Sequence, residues 1–367
     1  MYQNTSKEIF KMSIPMFFEL LLQLLVGNID QIMVSHYSQG SVAAIGNGNQ
    51  IMNIIILVLS SMTVATTVLI SRYFGAGDPE KAKSVSNASI YSLSFFSIVV
   101  TLLIYGFQRP LFQWLQVPND ILDETCSYTV IVSTCILIQA IYMVFASILR
   151  SHKLMKYVTF VAIIMNTLNI LGNAILINGL FGFPRLGIIG AAISTNISKF
   201  IGLVIIILVF LKKTNMGLGF LNLKYFSFKM AKKVLLIAVP SGGEAFSYQM
   251  SQLIILRFVN TFGTMVIASR SYCMILANIA YVYSMAISQA TQILVGYLYG
   301  KGDYESIKKR VWNSVFISMA VSVSLTVIMM FNSNMILGIF TSEQFILDLC
   351  KKILMVEIVL EVGRSIN

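Results

Sequence analysis

Two acids inside one long apolar stretch are the side chains best placed to do chemistry in this sequence. The run from Ser13 to His36 is long and apolar enough to cross a bilayer, and it carries Glu19 and Asp30. A charge in hydrocarbon costs roughly 2.5–3.5 kcal/mol on insertion scales, so an acid there needs a reason. The stretch has a counterpart 225 residues later. Pro15 matches Pro240 and Glu19 matches Glu244, but Asp30 matches Ile255, so the copy keeps the helix and loses the aspartate. A lone carboxylate in that setting suits reversible binding of H⁺ or Na⁺. The competing reading is a permanent ion pair, and Lys199 is the rival partner.

Other charged groups stand inside apolar runs. Glu357, Glu361 and Arg364 recur at i, i+4 and i+7, on one helical face. Two acids and one base leave one acid over, and Arg257 is a candidate partner for it. The cluster reads as a structural network or as part of a proton path. Glu19 and Glu244 would line a cleft open to the cytoplasm, or would simply meet water near helix starts. His36 and His152 are the only histidines and lie far apart, so no metal, nucleophile or general-base constellation is visible and no enzyme is expected. Cys126, Cys135, Cys273 and Cys350 lack paired spacing and read as packed thiols.

The elements that hold these groups follow from composition. The chain of 367 residues is 57% hydrophobic and 11% charged, against about 25% charged in a soluble domain. Lipid must therefore be its solvent. Apolar runs of about 20 residues place spans at 13–36, 49–71, 86–107, 125–149, 157–178, 188–211, 235–261, 270–298, 311–331 and 345–367. The net charge of +11 sits in short loops and reports orientation, not nucleic-acid binding. Bases cluster before span one and after the even-numbered spans, which puts the N-terminus in the cytoplasm.

A parallel repeat organises the spans. At the same offset of 225, Asn53 pairs with Asn278, Thr66 with Thr291, Gly75 with Gly300, Gly77 with Gly302 and Asp78 with Asp303. An even number of spans separates the copies, so both enter the membrane from one side, and substrate sites in such proteins tend to lie at the repeat interface. The expected architecture is an all-α polytopic membrane protein of two repeat bundles. Residues 1–211 form an N-lobe, 212–234 a cytoplasmic linker and 235–367 a C-lobe. The first copy has six spans and the second four of an expected six, so the sequence reads as truncated at its C-terminus, inside span ten.

Ser71-Arg72-Tyr73-Phe74-Gly75-Ala76-Gly77-Asp78-Pro79-Glu80 reads as a helix end, a turn and a helix start. A phosphate loop is the functional alternative, against which stand the lack of a preceding strand and of a following Gly-Lys-Ser/Thr. This motif, its copy at Gly300–Glu305 and the run Asn28-Ile29-Asp30-Gln31-Ile32-Met33-Val34 after Pro15 together resemble the MATE (multidrug and toxic compound extrusion) transporters of the MOP flippase superfamily. Asn169-x-x-x-Asn173, Pro184-x-x-Gly187, Gly190-Ala191-Ala192-x-x-Thr195 and Glu361–Asn367 fit the same resemblance.

The resemblance implies a cation-binding site made by Asp30 with Asn169, Asn173 and Thr195. Counted from the outer ends of their spans, these residues lie within about 6 Å of one another in depth. Many family members carry an aspartate where this chain has Asn173, which puts a two-carboxylate mechanism in doubt. The implied activity is efflux of amphipathic organic cations in exchange for Na⁺ or H⁺, by a cell-membrane monomer without cofactor or nucleic-acid partner. Tyr281, Tyr283 and the many methionines suit a cavity for planar cations. The alternatives are a flippase for a lipid-linked precursor, with Arg257, Arg270 and Arg364 holding a pyrophosphate, or an inactive membrane fragment.

Overall fold

The computed structural model describes residues 5–35, 39–214, 216–262, 264–338 and 343–366. These residues are almost wholly helical, and no strand occurs among them. Backbone amides have no water to bond in hydrocarbon, so each segment must satisfy its own, which a helix does. The helices are α1 (Thr5–Ser35), α2 (Gln39–Gly75), α3 (Pro79–Trp114), α4 (Asn119–Ser133), α5 (Ile136–Ser151), α6 (Met155–Asn178), α7 (Gly187–Lys213), α8 (Phe228–Asn260), α9 (Thr264–Lys301), α10 (Tyr304–Phe331), α11 (Ser333–Leu337) and α12 (Gln344–Ile366).

Each of the ten expected spans falls on one of these helices, except the fourth, which is broken. Within the described residues, α2, α3, α6, α7, α9, α10 and the Lys7–Val26 part of α1 are long and apolar enough to cross a membrane. The α4–α5 pair adds an eighth, bent by 42° where a straight span was expected over 125–149. The cause is local. The Ser133 and Thr134 hydroxyls donate back to the Val130 and Ile131 carbonyls, both at 2.7 Å, a pattern that bends helices. Neighbouring helices then take up the freed groups. Asn196 Nδ2 on α7 donates to the Ile131 carbonyl at 2.6 Å and to Thr134 Oγ1 at 3.1 Å, and Thr101 Oγ1 on α3 donates to the Ser133 carbonyl at 3.1 Å.

Contacts divide the chain into two units, one of residues 1–21 with 243–367, the other of residues 22–242. In the second unit, α2 to α7 pack as one bundle. One end of it is closed by edge-to-face rings, Phe145 on Phe210 and Phe210 on Phe220. In the first unit, α9, α10 and α12 pack against one another. The polarity of α10 is inverted relative to a soluble helix. Ser314, Ser318, Ser322 and Thr326 are buried, while Trp312, Phe316, Ile328 and Phe331 are exposed. An apolar exterior around a hydroxyl seam is what a lipid-solvated bundle requires.

The turn motif forms as expected in both copies. Gly77 and Gly302 adopt φ of +73° and +75°, a conformation open to glycine. Asp78 caps α3 by accepting from the Lys81 amide at 3.0 Å, with Pro79 in the first turn, and Asp303 caps α10 by accepting from the Ser306 amide at 3.1 Å.

Candidate functional site

The α6–α7 pair assembles most of the residues implied for cation binding. Asn166, Asn169 and Asn173 lie on one buried face of α6. Two glycines let the helices approach closely. A Cβ at Gly172 would lie 2.4 Å from Ser194 Oγ, and one at Gly190 would lie 2.6 Å from the Leu176 carbonyl oxygen. At that separation Asn169 Nδ2 donates to Thr195 Oγ1 at 3.2 Å, and the Ser194 hydroxyl donates to the Asn169 carbonyl at 2.9 Å. Thr195 Oγ1 donates to the Ala191 carbonyl at 2.9 Å. Asn166 Nδ2 is buried without a hydrogen-bond partner among the described residues. It can donate to a carboxylate, or the amide can turn its oxygen inward.

Asp30 stands on α1 within the same unit as these residues, but its side chain lies outside the described residues, as does His36. Lys199 is half-buried one turn beyond Thr195. Ser194 and Asn196 are additions that the sequence reading did not single out. Their only signal was adjacency to Thr195. Asn196 couples the seam to the α4–α5 break, where Cys135 Sγ also meets the Asn196 carbonyl at 3.8 Å.

The other unit holds the second set of charges. Arg364 Nη1 donates to Glu357 Oε1 and, at 2.6 Å, to Glu361 Oε1. Both carboxylates share this one guanidinium. Arg257, expected to pair with one of them, is instead exposed on α8 and forms no ion pair among the described residues. Glu361 is fully buried, and its Oε2 has no hydrogen-bond partner among the described residues. Arg270 Nη2 donates to Gln252 Oε1 at 3.2 Å. Tyr283 meets Phe17 edge-on at 5.6 Å.

Glu19 and Glu244 do not sit at helix starts, since α1 begins at Thr5 and α8 at Phe228, about four turns earlier. Glu19 is buried and Glu244 exposed, so the matched pair has diverged in environment. The four cysteines are free and buried. No group of three or more His, Cys, Asp or Glu side chains able to hold a metal occurs among the described residues.

Long helices, an apolar exterior and polar seams confined to bundle interiors define a polytopic helical membrane protein. The MatE family model matches residues 15–175 and 240–367, and the chain belongs to that family of membrane transporters. It is 33% identical over 359 residues to the uncharacterized transporter YisQ of Bacillus subtilis, covering 98% of this chain and 79% of that one. It is 26% identical to a probable multidrug resistance protein NorM of Thermotoga maritima, covering 94% and 74%. A solved crystal structure of MATE in complex with MaD3S shares the fold, with a TM-score of 0.89 at 20% identity over 99% of this chain and 81% of that one. The chain is thus a multi-pass transporter of the plasma membrane and not an enzyme.

Proposed function

We propose that this chain exports amphipathic organic compounds, cations among them, by secondary antiport against Na⁺ or H⁺. Asp30 is the ion-carrying carboxylate, and Asn169, Asn173 and Thr195 supply neutral oxygens around the ion. The observation that supports this most is the amide and hydroxyl seam between α6 and α7, built inside an apolar bundle in the same unit as Asp30. Hard oxygen donors with one carboxylate suit Na⁺, and the carboxylate alone suits H⁺. Lys199 would neutralise Asp30 when no ion is bound. At about 2.3 kcal/mol per charge per 100 mV, one inward cation supplies useful drive.

The probable multidrug resistance proteins among the relatives support organic substrates. A flippase with a pyrophosphate cleft is less favoured. Arg364 is engaged by two glutamates and Arg270 by Gln252, so of these three bases Arg257 alone has no polar partner among the described residues. A single polypeptide is expected to suffice.

The test is ethidium efflux from vesicles containing the purified chain, driven in turn by a Na⁺ gradient and a pH gradient. Asp30→Asn should abolish the driven efflux while the protein remains folded and inserted. Efflux at the normal rate from that variant removes the proposal, and the gradient that drives the unaltered chain names the ion.

A further inference from the structure

The connection from α7 to α8 carries chemistry that the transport site does not use. Lys212 and Lys213 end α7, and Lys224, Lys229, Lys232 and Lys233 follow. No acid occurs anywhere from Lys212 to Gly243. Lys224, Lys229 and Lys232 are exposed and form no ion pair among the described residues. Aromatic residues alternate with them. Tyr225 and Phe228 are 64% and 77% exposed, which would be costly in water and is ordinary at a headgroup boundary.

The segment is held in place by its backbone. Asn87 Nδ2 on α3 donates to the carbonyls of Phe220, at 2.5 Å, and Asn222, at 3.1 Å, and Tyr91 OH donates to the Leu221 carbonyl at 2.5 Å. Phe220 is buried, and Tyr91 also packs edge-on against Phe226. The exposed lysines and rings are therefore presented from a pinned segment.

The first turns of α8 continue the pattern into the membrane. Met230, Ala231, Val234 and Ala238 face the bundle core. Lys232, Leu235, Leu236 and Val239 occupy the opposite, exposed face at i, i+3, i+4 and i+7. With Pro240 these residues make one exposed surface along α8, basic at Lys232 and apolar beyond it. At about 1.5 Å per residue the apolar wall runs about 12 Å beyond the Lys232 backbone position. A cation at one end and a hydrocarbon wall beyond it match a headgroup phosphate and the chain attached to it.

We infer that this face binds an anionic phospholipid of the cytoplasmic leaflet, with its phosphate held by Lys229 and Lys232 and an acyl chain laid along Leu235, Leu236 and Val239. The cytoplasmic leaflet is the anionic one, and the loop's excess of bases faces it. Lipid binding at this face does not depend on which ion drives transport.

The experiment uses the full chain extracted in mild detergent from membranes holding equal phosphatidylglycerol and phosphatidylcholine, with retained lipid counted by mass spectrometry. The unaltered chain should retain phosphatidylglycerol preferentially. Lys229→Gln with Lys232→Gln should lower that preference at least threefold, and Lys229→Arg with Lys232→Arg should keep it. Val239→Trp, which puts a bulky ring in the path of the acyl chain and leaves both lysines, should lower retention as well. Glycerol 3-phosphate in excess should displace little, because it lacks the chains. Undiminished phosphatidylglycerol in the Gln or Trp variant overturns the inference. So does loss in the Arg variant, and so does ready displacement by glycerol 3-phosphate, which would mark a soluble phosphate site.

Discussion

Asn173 is fully buried on α6, at a position where the resemblance puts aspartate in many family members. On the proposed site, Asn173→Asp would add a second carboxylate to the one that Asp30 supplies. The added charge is costly to bury alone and is relieved by a bound cation. The variant should therefore reach half-maximal driven efflux at a several-fold lower ion concentration, and it should melt earlier than the unaltered chain when the ion is withheld. An ion titration of dye efflux checks the first outcome and a melting curve with and without Na⁺ the second. At the membrane surface a different carboxylate gives a pH prediction. The Lys81 side chain, and then the Lys81 amide, hold the Asp78 carboxyl below its usual range. A depressed folded pKa adds stability that is present above the unfolded value, about 3.9, and is lost as pH falls through the folded value. Asp78→Asn should thus lower Tm by a small, constant amount between about pH 5 and 8, and the gap should close below about pH 4. A gap that persisted in acid would mean that the cap, not the charge, carries the effect. Asp78 was legible from its neighbours in sequence, because a cap and its helix are contiguous. The partners of Glu357 were only half legible. The helical spacing brought Arg364 to both acids, but nothing in the sequence told that α8 would leave Arg257 exposed.

Eight of the spans were legible because bilayer thickness forces a long apolar run onto a crossing helix, and that run is visible without any fold; α8 and α12, expected as spans seven and ten, are not among the helices long and apolar enough to cross within the described residues. The interruption of the fourth span was not legible. Ser133, Thr134 and Cys135 read as small polar residues within a span, and the side chain that stabilises their break, Asn196, comes from α7. Only a packed structure joins the two. The amide face of α6 showed in its i, i+3, i+7 spacing, but the approach of α7 depends on Gly172 and Gly190 and on what each would strike. Asn196→Leu tests the element directly. It removes the Asn196 donations to the Ile131 carbonyl and the Thr134 hydroxyl, but the carbonyl keeps the Thr134 hydroxyl as a donor, so the cost is that of ordinary hydrogen bonds, about 0.5–1.5 kcal/mol. The expected result is a lower midpoint in SDS unfolding, together with weaker ion dependence of efflux, since Thr195 precedes Asn196 on the same helix. Gly190→Val should act through separation instead. It should push α7 from α6 at a cost of about 1–3 kcal/mol, and slow driven efflux while leaving the α4–α5 break in place. Cysteine-pair cross-linking between α6 and α7 would read the separation, and unaltered cross-linking would remove that account.

Duplication shaped the whole molecule, and each leading helix is divided between the two units. Residues 5–21 of α1 belong with the second repeat, and residues 228–242 of α8 belong with the first. Equivalent positions make the exchange concrete. Glu8 of α1 reaches Arg310 of α10 at 4.0 Å, and Lys233 of α8, one repeat later, donates to Tyr73 OH at 2.9 Å. A hydrogen bond inside each unit is also conserved between the copies. Thr66 Oγ1 donates to Ser89 Oγ at 2.8 Å, and Thr291 Oγ1 donates to Ser314 Oγ at 2.7 Å. Elsewhere the copies part. Asp30 has become Ile255, while Leu59 and Leu93 have become Ser284 and Ser318, and in the second copy Ser318 and Ser322 converge on Ser284 at 2.9 and 2.6 Å. The shared bond is thus scaffold, and the differing polar groups mark what each unit does separately. A pair of double-mutant cycles separates these ideas. Thr66→Val with Ser89→Ala, and Thr291→Val with Ser314→Ala, should each show a coupling of about 0.6 kcal/mol, up to about 1.7, as hydroxyl pairs between membrane helices do. The two couplings should match, and combining both pairs should be additive, because they lie in different units and share no partner. Unfolding in SDS measures all of these. A much larger coupling for Thr291 and Ser314 would show that the bond has been drawn into the adjoining serine network, and the two copies would then no longer share one scaffold.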